Sequence, residues 1–171
     1  RTQEEKSMRD LIVYYSLEGN TEYVAQRLKE KLDARIRCLT PKKAYSTKGF
    51  SKFFWGGKSA IMAEKPELEP VDIDLSEVDR IIFGFPVWAS NFTPPIRTFI
   101  EDNRETLAGR RFAAFACQSG SGGEKAIAKL AKCLNETAFE QTAVFNDPKA
   151  RKCEETDLQI DAFANALKQA D

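Results

Sequence analysis

The chain has 171 residues, 42% hydrophobic and 30% charged, a size and balance that suit one domain with its own apolar core. Its 26 Lys and Arg offset its 26 Asp and Glu, so a bulk basic field for nucleic acid is excluded, and no apolar run approaches the length of a membrane span. It contains no histidine, which removes Ser-His and Cys-His catalysis and His-ligated metals and leaves redox or group-transfer chemistry to a cofactor.

The first ten residues are polar and charged and show no signal-peptide pattern; residues 1–7 read as a flexible arm and 8–171 as the domain. Cys38, Cys117, Cys133 and Cys153 show neither CxxC nor metal-ligand spacing and are expected as reduced thiols of a cytoplasmic protein.

In chain order, the apolar run at Leu11, Ile12 and Val13 stops at the polar bend Ser16-Leu17-Glu18-Gly19-Asn20-Thr21, and Val24, Leu28 and Leu32 then fall at helical spacing. A helix N-terminus offers free N–H groups and the positive end of a dipole, so a small-residue loop there suits an anion such as phosphate. The loop has no Lys, which departs from the nucleotide-hydrolysing P-loop. Taken alone, it fits equally a plain helix cap by Asn20 or Thr21.

Residues 34–39 read as a second strand. Residues 41–66 then hold six lysines against one acid, Glu64, together with Tyr45, Phe50, Phe53, Phe54 and Trp55. A helix is expected near 50–55, broken at Gly56 and Gly57, with a further turn near 59–63. Its aromatics either pack on the sheet, the favoured reading, or cover a ligand. Residues 67–79 are acidic and read as a solvated connection.

A third strand begins at Arg80, with Gly84 allowing close approach of a ligand or another backbone. The loop Pro86-Val87-Trp88-Ala89-Ser90-Asn91-Phe92 follows, then Thr93 as N-cap with Pro94 at the first helical position, and Ile96, Phe99 and Ile100 as a buried stripe. Residues 112–117 form a fourth, near-continuous apolar strand, ending in Gln118-Ser119-Gly120-Ser121-Gly122-Gly123. Ser121 with Glu124, and Thr156 with Gln159, have the spacing of capping boxes for the last two helices. Between those helices, residues 142–145 form a fifth strand, and Leu158, Phe163 and Leu167 mark the final helix. Repeated β-α alternation means an α/β protein with a parallel sheet covered by helices on both faces.

In such a sheet ligands sit beyond the carboxyl ends of the strands, where three unusual loops converge: 16–21, 86–92 and 118–123. The first suits a phosphate, the second carries Trp88 among small residues, and the third lets backbone groups reach a flat polar edge. Together these three segments resemble the flavin mononucleotide (FMN) loops of the flavodoxins, in order and spacing, over nearly the whole chain from Met8. The length fits the short-chain type.

The resemblance implies a three-layer αβα sandwich with a five-stranded parallel sheet of order 2-1-3-4-5. It implies that Ser16, Leu17, Glu18, Gly19, Asn20 and Thr21 hold the FMN phosphate. Pro86, Val87, Trp88, Ala89, Ser90, Asn91 and Phe92 would flank the isoalloxazine ring, Trp88 foremost, and Gln118, Ser119, Gly120, Gly122 and Gly123 would meet its pyrimidine edge. Asn91 or Ser90 would permit a peptide flip toward the ring, because Asn tolerates positive φ. Cys117 is expected as a small buried hydrophobe.

Two departures stand out. Glu18 replaces the usual Thr and is expected to face solvent, since a carboxylate beside a phosphate is unfavourable. The neutral net charge also differs from the acidic surface usual in flavodoxin carriers. Three functions follow: electron transfer through bound flavin to redox partner proteins, an FMN-dependent NAD(P)H:quinone-type oxidoreductase using a small electron acceptor, and a flavin-free binding module, motivated by Glu18. The chain is expected to act as a monomer or weak dimer, without nucleic acid, membrane or metal.

Overall fold

The structure is a computed structural model that describes residues 9–45, 64–136 and 138–171. Five strands form one parallel sheet: β1 (Asp10–Tyr14), β2 (Arg35–Cys38), β3 (Arg80–Pro86), β4 (Arg111–Gln118) and β5 (Thr142–Asn146). Their spatial order is β2-β1-β3-β4-β5, the order implied by the resemblance. The helices are α1 (Asn20–Leu32), α2 (Pro94–Asp102), α3 (Arg104–Leu107), α4 (Gly123–Cys133) and α5 (Glu154–Gln169). The arm at 1–7 and the helix expected near 50–55 with its following turn lie outside the described residues.

Strand periodicity builds the three layers. In β1, Leu11 and Val13 point to one face of the sheet and Ile12 and Tyr14 to the other. The first face packs on α2, α3 and α4 through Ile96, Phe99, Ile100, Leu107, Ile127 and Leu130. The second packs on α1 and α5 through Val24, Leu28, Ile160, Phe163 and Leu167. Because both faces are covered, the inner strands read as unbroken apolar runs. Gly84 makes its close approach to a side chain and not to a ligand: a Cβ there would lie 2.2 Å from the Phe115 ring of the neighbouring strand.

The end of the sheet where the strands begin is held by charge. Arg80 is wholly buried and donates to both carboxylate oxygens of Asp10 at 2.8 and 2.9 Å, to Glu140 at 3.1 Å and to the Leu167 carbonyl at 2.9 Å. Arg111 also grips Glu140, so the start of the sheet and the end of α5 are tied together.

Several local expectations are corrected. Neither capping box forms. Gly122, at φ 98, is the N-cap of α4 in place of Ser121, and the Gln118 side chain takes the Gly123 N–H. α5 starts from Cys153, so Thr156 lies within its first turn and its hydroxyl donates to the Arg151 carbonyl at 3.0 Å. Thr93 occupies the N-cap of α2, but its hydroxyl caps nothing and is buried without a partner. Leu158 is 59% exposed, because the inward stripe of α5 runs through residues 156, 160, 163, 164 and 167. The acidic segment before β3 is not a plain solvated loop: Leu75 and Val78 are buried, and Leu75–Glu77 form a helical turn started by the Asp74 side chain, which accepts the Ser76 N–H at 3.0 Å. Among the described residues no helix is long and apolar enough to cross a membrane.

Candidate functional site

The chain passes from β1 outward to β2, then returns to β3 and proceeds the other way, so β1 and β3 flank the switch point of strand order. The loops after β1, β3 and β4 meet there and line a common cleft of about 220 Å³. Ser16 and the Gly122-Gly123 pair therefore belong to one end of the molecule.

The β1–α1 loop is an open cradle of donors. Gly19 adopts φ 98 at the N-cap of α1, a left-handed conformation that suits glycine, and it brings no side chain to cap the helix. The backbone N–H groups of Leu17, Glu18, Gly19, Asn20 and Thr21 find no acceptor among the described residues. Ser16 Oγ accepts the Glu22 N–H at 3.3 Å and keeps its own proton to donate. The Thr21 hydroxyl is buried at 1% exposure without a hydrogen-bond partner, although Thr21 lines the cleft. Buried polar groups are almost always paired, so an orphan in the lining of a cleft, beside five free N–H groups, fits an anionic ligand. Glu18 is exposed at the rim, as expected.

The β3–α2 loop is a tight turn. Trp88 and Asn91 exchange both backbone hydrogen bonds, at 3.1 and 3.0 Å, around Ala89 at φ 50 and Ser90 at φ 59. Positive φ at both central positions is the type I′ pattern, unusual without glycine or asparagine there. The positive φ thus falls on Ala89 and Ser90, not on Asn91, whose side chain accepts the Phe92 N–H at 2.9 Å. Trp88 lines the cleft yet is only 3% exposed, held edge-on to Tyr15 at 5.8 Å and Tyr45 at 5.3 Å between ring centres. Burial pushes the Tyr45 hydroxyl up to about 12 and the Tyr15 hydroxyl further, so both stay protonated.

The β4–α4 loop is the frame. Gln118 accepts the Gly123 N–H at 2.8 Å and donates to Asn146 at 2.9 Å. Ser119 donates to the Asp147 carboxylate at 2.5 Å. Gly122 lies against the second loop, where a Cβ would sit 2.9 Å from Ser90 Oγ.

The first loop brings Ser16, Leu17, Glu18, Asn20 and Thr21 to the cleft; the second brings Pro86, Val87, Trp88, Ala89 and Ser90; the third brings Gln118 and Ser119. Gly19, Asn91 and Phe92 are not among its lining residues, Phe92 being a core residue against Phe85. Gly120, Gly122 and Gly123 line an adjoining concavity of about 510 Å³ that shares Ser90, Gln118 and Ser121 with the cleft. Sequence reasoning left out two of the cleft residues, Ser121 and Cys117. Burial pushes the Cys117 thiol up to about 12, and the neighbouring Thr21 hydroxyl, which does not meet hydrogen-bond geometry with any group, offsets this only in part, so the thiol stands as a neutral wall. Also missed was Lys149 in the β5–α5 loop, whose backbone N–H donates to Asn20 Oδ1 at 3.0 Å. No local signal in the sequence announces that contact, 129 residues apart.

Comparison with known proteins agrees with this layout. The family model of flavodoxin matches residues 9–158. No curated protein matches the chain. Among solved structures, a protein of Bacteroides eggerthii assigned as a flavoprotein is 21% identical and superposes with a TM-score of 0.70, over 91% of this chain and 98% of that one. A Lactobacillus acidophilus flavoprotein solved in complex with FMN is 19% identical with a TM-score of 0.68, over 89% and 98%. Megasphaera elsdenii flavodoxin in its two-electron reduced form is 18% identical with a TM-score of 0.56, over 91% and 98%. At such identities the likeness establishes the fold.

Proposed function

The chain belongs to the flavodoxin family, and from that premise we propose that it binds FMN in the cleft between the three loops and transfers electrons through it. The observation that carries this reading is the run of five unpartnered N–H groups beside the orphaned Thr21 hydroxyl, a set of neutral donors waiting for a phosphate.

A bound flavin supplies the redox chemistry, taking up and giving back electrons. The residues of this chain bind, orient and shield it. The 17–21 backbone, with the Ser16 and Thr21 hydroxyls, holds the phosphate. Asn20 has its amide oxygen engaged by Lys149, which leaves its NH₂ group as the free donor. Pro86, Val87 and Trp88 form the apolar wall for the ring, and the Tyr15 and Tyr45 rings behind Trp88 keep that wall rigid. The Ala89-Ser90 turn sets the shape of the rim.

The test is an absorption spectrum of the purified protein after incubation with FMN and gel filtration. A retained flavin band with perturbed maxima is expected, and a colourless protein overturns the proposal. Electron transfer is tested separately, with a reductase as donor and a redox protein as acceptor. Oxidation of NADPH by a quinone without any added reductase would replace the carrier role by an oxidoreductase role on the same cofactor.

A further inference from the structure

We propose that Lys149 is the counter-ion of the flavin phosphate, a cation delivered from the β5–α5 loop to a cradle whose own sequence contains none; the proposal rests on the FMN reading above. Lys149 Nζ donates to the Glu18 carbonyl at 3.4 Å. A Cβ placed on Gly19 would meet that nitrogen at 2.8 Å, so the ammonium lies directly against the cradle. An ammonium has three protons to donate, and a single bond to Glu18 leaves two for a ligand. Lys149 makes no ion pair with a carboxylate among the described residues.

The placement is built. The Lys149 backbone N–H is bonded to Asn20 at 3.0 Å. The Arg151 N–H closes one turn onto the Asp147 carbonyl at 2.8 Å, and the Asp147 N–H reaches the Gln118 carbonyl at 2.9 Å. The Asp147 carboxylate takes the Ser119 hydroxyl. The loop that carries Lys149 is thus pinned to both the first and the third loops of the cleft.

Charge gives the reason for it. A phosphate monoester carries close to two negative charges at neutral pH, and Glu18 adds a third at the rim. Neutral N–H donors satisfy the phosphate oxygens but leave that repulsion uncompensated. Lys149 compensates it. The same geometry gives Gly19 a second reason to be glycine, since any side chain there would displace the ammonium.

Dissociation constants for FMN and for riboflavin, which lacks the phosphate, measured by flavin fluorescence on wild type, Lys149→Met and Lys149→Arg, decide the matter. Loss of a hydrogen bond to a charged group predicts roughly a ten- to hundredfold weaker FMN affinity in Lys149→Met, with riboflavin affinity unchanged. Lys149→Arg should recover most of the loss. Raised salt should weaken FMN binding to wild type more than to Lys149→Met. Equal FMN affinity in wild type and Lys149→Met overturns the assignment while leaving the FMN reading intact. Equal loss for both flavins overturns it as well, because the lysine would then act on the fold or the ring. A wild-type protein that binds neither flavin sinks the FMN reading, and this assignment with it. Lys149 is exposed, so thermal unfolding of the flavin-free variants should match wild type and exclude misfolding as the cause.

Discussion

Two glycines of the β4–α4 loop offer an internally controlled experiment. Gly120 and Gly122 have nearly the same left-handed backbone, φ 103 and φ 98. A Cβ on Gly120 meets nothing within 4 Å, whereas on Gly122 it would lie 2.9 Å from Ser90 Oγ, 3.1 Å from Ser90 Cα and 3.2 Å from Val87 Cγ1. Alanine in this backbone region costs about 1–2 kcal/mol, and the stiffer unfolded chain returns about 0.4–1 kcal/mol, so Gly120→Ala should lose about 0.5–1 kcal/mol. Gly122→Ala adds an overpacking cost of about 1–3 kcal/mol, because Ser90 Cα and Val87 belong to a hydrogen-bonded loop that must shift to admit the methyl. At about 2–4 °C per kcal/mol for a chain of this size, the expected falls in Tm are about 1–4 °C and about 3–16 °C. Moving Ser90 and Val87 also reshapes the wall of the cleft, so Gly122→Ala should weaken FMN and riboflavin equally while Gly120→Ala leaves both unchanged. Calorimetry of the flavin-free proteins and fluorescence titration with the two flavins measure these effects. Equal Tm shifts for the two variants would refute the claim that the third loop braces the second.

Three further outcomes follow from single sites. Thr21→Val removes a buried hydroxyl that lacks a partner in the free protein, so stability should hold or rise by about 1 kcal/mol in urea titration, whereas FMN but not riboflavin affinity should drop about tenfold; a stability loss above about 1 kcal/mol would show that the hydroxyl is already paired. Gly84→Ala places a methyl 2.2 Å from the buried Phe115 ring and should destabilise by about 1–3 kcal/mol, whereas an unchanged Tm would mean that the sheet accommodates it freely. Arg80→Met leaves Asp10 buried without its cation and should cost about 3–5 kcal/mol at neutral pH. Burial already holds the Asp10 carboxyl above its usual range. Such a group binds protons more readily folded than unfolded, so its contribution to stability falls as pH rises. The deficit of Arg80→Met should therefore be smaller at pH 5 than at pH 7, and an equal deficit at both would contradict this account.

The parts of the fold that were legible in the sequence are those set by local pattern. Ile81-Ile82-Phe83 and the run into Cys117 read as inner strands because both of their faces are buried. The three loops were legible because each packs small and polar residues into a short window between a strand and a helix. Helix starts differ from the capping-box pattern because α4, like α1, begins on a glycine at positive φ, and α5 begins on Cys153, three residues before Thr156. Leu158, Phe163 and Leu167 do lie in the final helix, but Leu158 is on its exposed side, because the buried stripe runs through Ile160, which the sequence pattern does not use. Lys149 and the Tyr15–Trp88–Tyr45 cluster depend on contacts between distant segments, which no window of sequence contains.

The third loop also changes role once its bonds are followed. A Gly- and Ser-rich segment after a central strand suggests backbone groups turned toward a flat ligand. Here the side chains of Gln118 and Ser119 are engaged by protein, whereas the backbone N–H groups of Ser119, Gly120, Ser121 and Gly122 find no acceptor among the described residues. Gln118 is bonded to Gly123 and Asn146, Ser119 to Asp147, and Gly122 leans on Ser90. Two of these links act on opposite ends of the cleft: Gly122 braces the wall proposed for the ring, and Ser119 anchors, through Asp147, the loop that holds Lys149 over the cradle. Gly122 and Gly123 are needed for how closely this loop approaches its neighbours, whereas a Cβ on Gly120 would meet nothing within 4 Å. On that argument, affinity for the ring and affinity for the phosphate respond to separate substitutions within one six-residue segment, so the ratio of FMN to riboflavin affinity identifies which end of the cleft a change has reached.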